Sequence, residues 1–311
     1  VSSVQNLPGA RTRAAYKTDT LGNLFVFGGN GYGSNSNGLL NDLWYFQDSS
    51  WVWLAGDTLA RPFNQNYYLT LKNTPSPRSG SFSWIDNQNH FWLYGGHGIG
   101  YDSANSTKGV GYLSDLWHWD GISWSLINGD TLVVNNYGIY GNMHSFDSLN
   151  SPGGRYMGAS WYYDSSLFLF GGLGLGAKTI SGPSLLNDVW EFKNSKWRWI
   201  NGDSLIYHGE IYNYPTTGVF DSLNSPSKRA ESIFFFKDSS LFLFGGNSDN
   251  GLLNDFWEFK NFEWRLVDGD TVSNPTPNNT TQYPSGVARS QFTIDERGVL
   301  YLYSGVAINS N

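Results

Sequence analysis

Arginines recur in this sequence where a repeated unit begins, and they are the residues best suited to ligand chemistry. Four of them follow a turn that contains proline, glycine or a small residue: Arg78, Arg155, Arg229 and Arg289. Together they could surround a channel and bind an anion. The alternative, favoured by their regular recurrence, is that each guanidinium hydrogen-bonds carbonyls or an acidic residue of the neighbouring unit.

The other polar motifs indicate structure more than catalysis. A Gly-Asp pair closes each unit and could supply oxygen ligands to calcium, but an aspartate that caps a turn explains it better. The five histidines show no metal-ligand spacing, and His97 alone adjoins a Gly-Gly pair. No nucleophile elbow, phosphate-binding loop or paired-carboxylate motif stands out. We therefore predict no catalytic residue, no metal and no cofactor.

An internal sequence repeat defines the secondary-structure elements that must position these residues. Each unit has a short apolar run that ends in Gly-Gly, then an aspartate two residues before a tryptophan, and a second tryptophan seven residues later. Four copies are complete, at 25–51, 92–124, 168–197 and 241–264, and a fifth begins at Leu300. Repeats of this kind indicate a ring or stack of small structural units.

Each unit predicts four antiparallel strands joined by short Asx or glycine turns. The apolar run does not alternate with polar residues, so we expect both its faces to be buried. We expect the Gly-Gly pair to end this strand. Small sheets that are covered on both faces by their neighbours are typical of an all-β β-propeller.

The repeat residues resemble the kelch repeat over nearly the whole chain. The resemblance is closest to the long kelch units of large extracellular and cell-surface proteins, in which an inter-blade loop ends in Asn-x-Pro-Gly-x-Arg, as residues 6–11 do. It implies a kelch-type β-propeller of four-stranded antiparallel blades, with four full repeats and a partial fifth. The single domain would cover 1–311, with repeats at about 9–57, 77–130, 154–203, 228–270 and 288–311.

The fifth repeat supplies only its first two strands, and a propeller ring needs closed edges. We therefore expect the chain to be a segment of a longer protein, with a cap from another subunit as the alternative.

The excess length of the units falls on one side of the predicted ring. The loops between strands two and three and the connections between blades should emerge on the same side, the long-loop face; the tight turns occupy the opposite, short-turn face. Loops on a rigid scaffold commonly bind ligands, which makes their tyrosines candidates. The favoured alternative is that they pack on the scaffold, because the phrase Asp-Ser-Leu-Asn-Ser-Pro recurs at 147–152 and 221–226. The candidates are Tyr67, Tyr68, Tyr137, Tyr140, Tyr212 and Tyr214.

The amino-acid composition limits the classes of partner and the cellular locations that we expect for this protein. Only 14% of the 311 residues are charged and the net charge is −7, which argues against nucleic acid. No apolar run approaches the length of a membrane-spanning helix. The absence of cysteine excludes the cysteine-linked tyrosine of the copper radical oxidases that share this repeat. Glycosylation sequons at Asn105, Asn278 and Asn279 favour an extracellular or cell-surface location, with the cytoplasm as the alternative.

These observations favour a non-enzymatic binding or assembly module that acts through the long-loop face. Its partner would be a protein, a glycan, further copies of itself or the rest of a longer chain. One alternative is a carbohydrate-active enzyme similar to the sialic-acid mutarotases, which carry an acid, arginines and a histidine in the channel. Another is an intracellular kelch adaptor.

Overall fold

The computed structural model describes residues 7–62, 73–102, 107–130, 134–178, 182–204, 214–269, 286–295, 300–303 and 306–307. In this part of the chain all regular structure is β-strand. Four antiparallel sheets form a four-bladed β-propeller, and two two-stranded sheets follow them. The predicted all-β propeller is thereby confirmed. No helix among these residues is long and apolar enough to cross a membrane.

Within each blade the strands follow one another in chain order from the propeller axis outward. In blades 1 to 3 the first strand is broken into two short pieces, which both pair with the second strand. The inner strands of successive blades contact one another. The strands of blades 1 and 2 are β1 Arg11–Thr12, β2 Ala15–Thr18, β3 Leu24–Tyr32, β4 Asn37–Gln47, β5 Ser50–Ala55, β6 Arg78–Ser79, β7 Phe82–Ile85, β8 Phe91–Asp102, β9 Thr107–Trp119 and β10 Trp124–Asn128.

Blades 3 and 4 repeat this order, and the partial fifth repeat forms the two small sheets, β20 with β23 and β21 with β22. Their strands are β11 Arg155–Tyr156, β12 Ala159–Tyr163, β13 Ser166–Gly174, β14 Ser184–Lys193, β15 Lys196–Asn201, β16 Ile233–Lys237, β17 Ser240–Ser248, β18 Gly251–Lys260, β19 Glu263–Asp268, β20 Val287–Ala288, β21 Gln291–Ile294, β22 Leu300–Tyr303 and β23 Val306–Ala307.

The apolar run of each repeat fills the spaces on both sides of its blade. In β13, Leu167 and Leu169 pack towards blade 2, whereas Phe168 and Phe170 pack against blade 4 around Trp257. Burying one such side chain contributes about 1.5–3 kcal/mol. Successive residues point to opposite faces of a strand, so a continuous apolar run is what a sheet covered on both faces requires.

The Gly-Gly pair does not end the second strand, contrary to the prediction. In all four blades the strand bulges at the pair, and pairing with the third strand resumes beyond it. In blade 3, φ is 60° at Gly171 and 92° at Gly172. A Cβ on Gly171 would lie 2.8 Å from the Leu186 carbonyl oxygen and 3.1 Å from that of Arg229 in the next blade. Glycine is required here by its conformation and by the neighbouring backbone.

Paired strands also replace much of the predicted loops on the long-loop face. In blade 2, β8 and β9 remain paired from Gly96 and Leu113 out to Asp102 and Thr107. Blade 1 extends in the same way. The backbone of these hairpins is therefore held by a hydrogen-bonded ladder.

Two inter-blade connections run over the outer rim of the propeller. Asp147 forms a β-bridge with Trp197 in the outermost strand of blade 3. Asn150 donates its side-chain N–H to the Trp197 carbonyl oxygen. The second copy of the shared phrase makes the same two contacts with Trp264 in blade 4. The phrase therefore has a shared packing role, as expected, and it covers strand edges that would otherwise be open to pairing.

Candidate functional site

Three of the four predicted channel arginines lie inside the blades. Arg78, Arg155 and Arg229 are fully buried, and each pairs with the aspartate of the repeat motif in its own sheet. The two Arg78–Asp115 hydrogen bonds measure 2.6 and 2.8 Å. The motif tryptophan, Trp117, donates its indole N–H to the same carboxylate at 2.7 Å. The acid belongs to the same blade, not to a neighbouring one as expected.

These guanidinium groups are fully engaged by the protein. Arg78 also donates to the carbonyl and hydroxyl oxygens of Ser76 and to the carbonyl oxygen of Gly95. All five of its N–H donors are thereby used. Arg229 repeats this pattern with residues of its own blade. An anion could bind here only by displacing contacts that hold the blade together.

Arg289, the fourth channel candidate, lies two residues beyond the strand position that the three buried arginines share. Val287 occupies the strand position that the buried arginines hold in the other blades. Its carbonyl oxygen lies 2.8 Å from the Cβ position of Gly245, which is the contact that the buried arginines make with the preceding blade. Arg289 corresponds instead to Arg13, two residues further along the strand. Its side chain is 52% exposed.

Arg289 belongs to a set of five residues that joins the blades near the axis. All five have left-handed backbone conformations, with φ of 55, 68, 60, 61 and 58°. The backbone N–H of each donates to the carbonyl oxygen of the one before, at 2.7, 2.8, 2.8 and 3.2 Å. A left-handed non-glycine residue costs about 1–2 kcal/mol, which these inter-blade hydrogen bonds offset. This axial ladder consists of Arg13, Gly80, Met157, Glu231 and Arg289.

Three ladder side chains form a charge cluster. Glu231 Oε2 accepts a hydrogen bond from Arg289 Nε at 2.6 Å, and Glu231 Oε1 lies 3.6 Å from Arg13 Nη2. The Glu231 side chain is only 8% exposed, whereas both arginines are about half exposed. The cluster joins blade 1 to blade 4 and carries one more positive than negative charge.

Lys17 lies further along the inner strand of blade 1, towards the short-turn face. Its Nζ donates to the Ser160 carbonyl oxygen at 3.2 Å and lies 5.1 Å from the ring centre of Phe234. No carboxylate among the described residues lies within ion-pair distance of it. Burial lowers the pKa of Lys17 to about 8, because low-polarity surroundings disfavour its charged form.

Three aromatic rings meet at the long-loop end of the interface between blades 2 and 3. His97 follows the bulge in β8, Tyr112 lies opposite it in β9, and Tyr156 belongs to β11. Their ring centres are 5.4, 5.5 and 5.7 Å apart, within the range of favourable aromatic contacts. Gly80 leaves room for them, since a Cβ there would lie 2.9 Å from the Tyr156 ring. We name His97, Tyr112 and Tyr156 the aromatic trio.

The polar groups of the trio are available to a ligand. All three side chains are partly exposed, and no hydrogen bond within the described part of the chain occupies the His97 nitrogens or the two tyrosine hydroxyls. Burial, and then the charge of Arg13, lower the pKa of His97. Burial, and then the nearby Tyr156, raise the pKa of Tyr112. Both shifts favour the neutral side chains of His97 and Tyr112, so the trio offers aromatic ring faces with hydrogen-bonding edges.

The repeat symmetry is broken at the trio, and this was the signal that the sequence carried. His97 adjoins a Gly-Gly pair, but Tyr112 and Tyr156 were not predicted as site residues. The three positions are occupied in the other blades by smaller or aliphatic residues. At the position of His97 these are Asn30, Leu173 and Asn247; at that of Tyr112 they are Leu39, Leu185 and Leu252; at that of Tyr156 they are Thr12, Ser79 and Ala230.

The candidate loop tyrosines within the described residues contact the scaffold. The hydroxyls of Tyr140 and Tyr214 lie 2.5 and 3.2 Å from Asp188 and Asp255, which are the partners of two buried arginines. The Tyr137 hydroxyl accepts from the backbone N–H of Gly182 at 3.5 Å. Tyr140 and Tyr214 therefore pack on the scaffold. The other candidates lie outside the described residues: Tyr67, Tyr68, Tyr212, Asn105, Asn278 and Asn279.

One group of described side chains has the chemistry of a metal site. Asp86, His90 and His118 lie together at the short-turn end of blade 2, with their ligand atoms within 4.8 Å of one another. Histidine spacing along the chain does not reveal this group, because the pairing of β8 with β9 brings residues 90 and 118 together.

The chain was also compared with known proteins. No protein-family model matches it, and no curated protein matches it.

Proposed function

We propose that this protein is a non-enzymatic kelch-type propeller of an extracellular or cell-surface protein, and that it binds a protein or glycan partner through the long-loop face. The aromatic trio is the observation that carries this proposal. It combines three ring surfaces, free polar edges and a break in the repeat symmetry. The buried arginines have architectural contacts, so a binding role rests on other residues.

The trio has the rigidity that a binding site needs. His97 and Tyr112 are direct cross-strand neighbours in a paired hairpin, and Tyr156 is fixed by the next blade. Aromatic side chains on rigid elements bind with little loss of conformational freedom. Ring faces and uncharged donors suit the apolar face and hydroxyls of a sugar, or an extended peptide.

Screening an array of immobilised glycans and a displayed peptide library with the intact chain tests the proposal. Tyr112→Ala and Tyr156→Ala should each weaken binding to a hit at least about tenfold, as truncation of an aromatic anchor commonly does. Tyr163→Ala is the matched control, because Tyr163 is 44% exposed and lies at the short-turn end of blade 3. Equal loss in all three variants, or no loss at Tyr112 and Tyr156, would contradict binding through the trio.

The proposed location has its own test. Intact-mass measurement and glycopeptide mapping of the native protein should find hexose at Asn105, Asn278 or Asn279. Unmodified sequons together with cytosolic fractionation would favour an intracellular adaptor. Sedimentation velocity over a range of concentrations separates self-assembly from binding to another partner.

A carbohydrate-active enzyme is the second candidate, because an acid, two arginines and a histidine lie near one end of the axis. Glu231 would move a proton, while Arg13 and Arg289 would bind an anionic sugar. Anomer exchange of sialic acid, followed by NMR, tests this candidate. Glu231→Gln should abolish acceleration by the enzyme while the chain stays folded. No acceleration by the unaltered chain rejects this reaction.

A further inference from the structure

Asp86, His90 and His118 form a compact group at the short-turn end of blade 2. The distance from His90 Nδ1 to His118 Nε2 is 3.0 Å, and from His90 Nδ1 to Asp86 Oδ2 it is 3.7 Å. Tetrahedral zinc with bonds of about 2.0–2.1 Å holds its ligand atoms roughly 3.3 Å apart. The three side chains therefore need only small movements to share one cation.

Neighbouring groups hold the three side chains in place. Asp86 Oδ1 accepts the backbone N–H groups of Gln88 and His90, both at 2.9 Å. The Trp92 indole N–H donates to Asp86 Oδ2 at 2.8 Å, and the Trp92 ring lies 4.2 Å from that of His118. Such outer contacts orient metal ligands and tune their affinity.

The equivalent place in blades 3 and 4 has different chemistry. There a serine hydroxyl donates to a glutamate, as Ser166 does to Glu191, and an arginine such as Arg198 covers the acid. Blade 4 repeats this arrangement. In blade 2 the arginine position is taken by Ser125, which is small and exposed. This leaves solvent access beside the histidines, where a water can complete the coordination.

We propose that Asp86, His90 and His118 bind a divalent transition cation, with Zn²⁺ as the preferred ion and a solvent-accessible fourth position. Two imidazole nitrogens and one carboxylate suit zinc, cobalt, nickel or copper, whereas calcium and magnesium take oxygen ligands. The site is on the opposite face from the aromatic trio, so it is independent of the proposed ligand site. A cation here joins the turn between β7 and β8 to the third strand of the blade.

Titration calorimetry of the tag-free chain with Zn²⁺, after treatment with a chelator, tests the site. One ion should bind per chain, and Co²⁺ should give the visible absorption of a tetrahedral complex. His118→Gln should weaken Zn²⁺ binding at least about a hundredfold. Trp92→Phe should weaken it about 10–100-fold, as loss of an outer contact does. His144→Asn is the matched control and should bind as the unaltered chain does.

Circular dichroism and the melting temperature of the chelator-treated variants show whether each is folded. Trp92→Phe keeps all three ligands and an aromatic ring, so it tests the site if His118→Gln does not fold. Failure of the unaltered chain to bind one Zn²⁺ at micromolar concentration overturns the proposal. Binding that persists unchanged in both His118→Gln and Trp92→Phe also overturns it.

Discussion

The Arg155 guanidinium and the Asp188 carboxylate form two hydrogen bonds of 2.6 and 2.8 Å, and neither side chain is exposed to solvent. The pair joins the first strand of blade 3 to its third strand. Because Arg155 also donates to the Gly171 carbonyl oxygen, the contact spans the glycine bulge of the strand between them. A polar cluster thus fixes the geometry of each blade at the point where its ladder is irregular.

Removing one member of this pair should destabilise the protein strongly. We expect Arg155→Ala to lower the free energy of unfolding by about 3–5 kcal/mol, because it leaves a buried, unpaired carboxylate. Urea unfolding followed by tryptophan fluorescence measures the loss. Lys193→Ala is the matched control and should cost less than about 1 kcal/mol, since its ion pair with Asp164 is exposed to solvent and exposed ion pairs contribute little. Equal effects would contradict an architectural role for Arg155.

Replacing the first glycine of a Gly-Gly pair by alanine should lower the free energy of unfolding by more than the strain of a positive φ alone. Gly171→Ala adds a close backbone contact, expected to cost about 1–3 kcal/mol, to the left-handed strain of about 1–2 kcal/mol. Gly121 has a φ of 94° but no atom within 4 Å of its Cβ position. Gly121→Ala should therefore show the strain alone. Similar unfolding free energies for the two variants would mean that the neighbouring blade moves aside.

The amine of Lys17 should make the free energy of unfolding depend on pH in the alkaline range. Its pKa of about 8 in the folded state lies below the ordinary 10.5, so the unfolded chain holds more protons between these values. Stability should therefore rise with pH across this window. Lys17→Met removes this dependence. The unfolding free energy of Lys17→Met minus that of the unaltered chain should therefore fall by up to about 3 kcal/mol between pH 7 and pH 10.5.

Urea unfolding of both chains at pH 7, 8, 9, 10 and 10.5 checks the Lys17 prediction. Other groups that titrate in this range are common to the two proteins and cancel in the difference. A difference that stays constant with pH would show that the amine is fully charged and solvated in the folded state.

The rim connections should depend on the asparagines of the shared phrase. Asn150 donates to the carbonyl oxygens of Ser145 and Trp197. Asn150→Ala should therefore cost about 1–2 kcal/mol and speed proteolysis within 134–154. Leu149→Ser is the control, because Leu149 is 72% exposed. Limited proteolysis with mass spectrometry should find faster cleavage in the first variant only.

Several features could be predicted from the sequence, and others could not. The apolar runs predicted buried strands because both faces of a blade must be apolar. The Gly-Gly pairs were predicted to end strands, because glycine marks places where the backbone turns or passes close to a neighbour. Hydrogen bonding beyond the bulge instead continues the ladder. Arg289 was misplaced because spacing from a proline or glycine turn does not define the register against the preceding blade.

The sequence by itself determined the blade, because the repeat residues are local and each copy pairs with itself. It also indicated that the recurring arginines and aspartates are architectural, but only the tertiary structure showed that each buried arginine pairs with the aspartate of its own blade. Only the tertiary structure decided the aromatic trio and the Asp86–His90–His118 group. The trio depends on the packing of blade 2 against blade 3. The metal-ligand group depends on the register in which β8 pairs with β9, which places Trp92 opposite His118, and the spacing of the repeat does not fix that register.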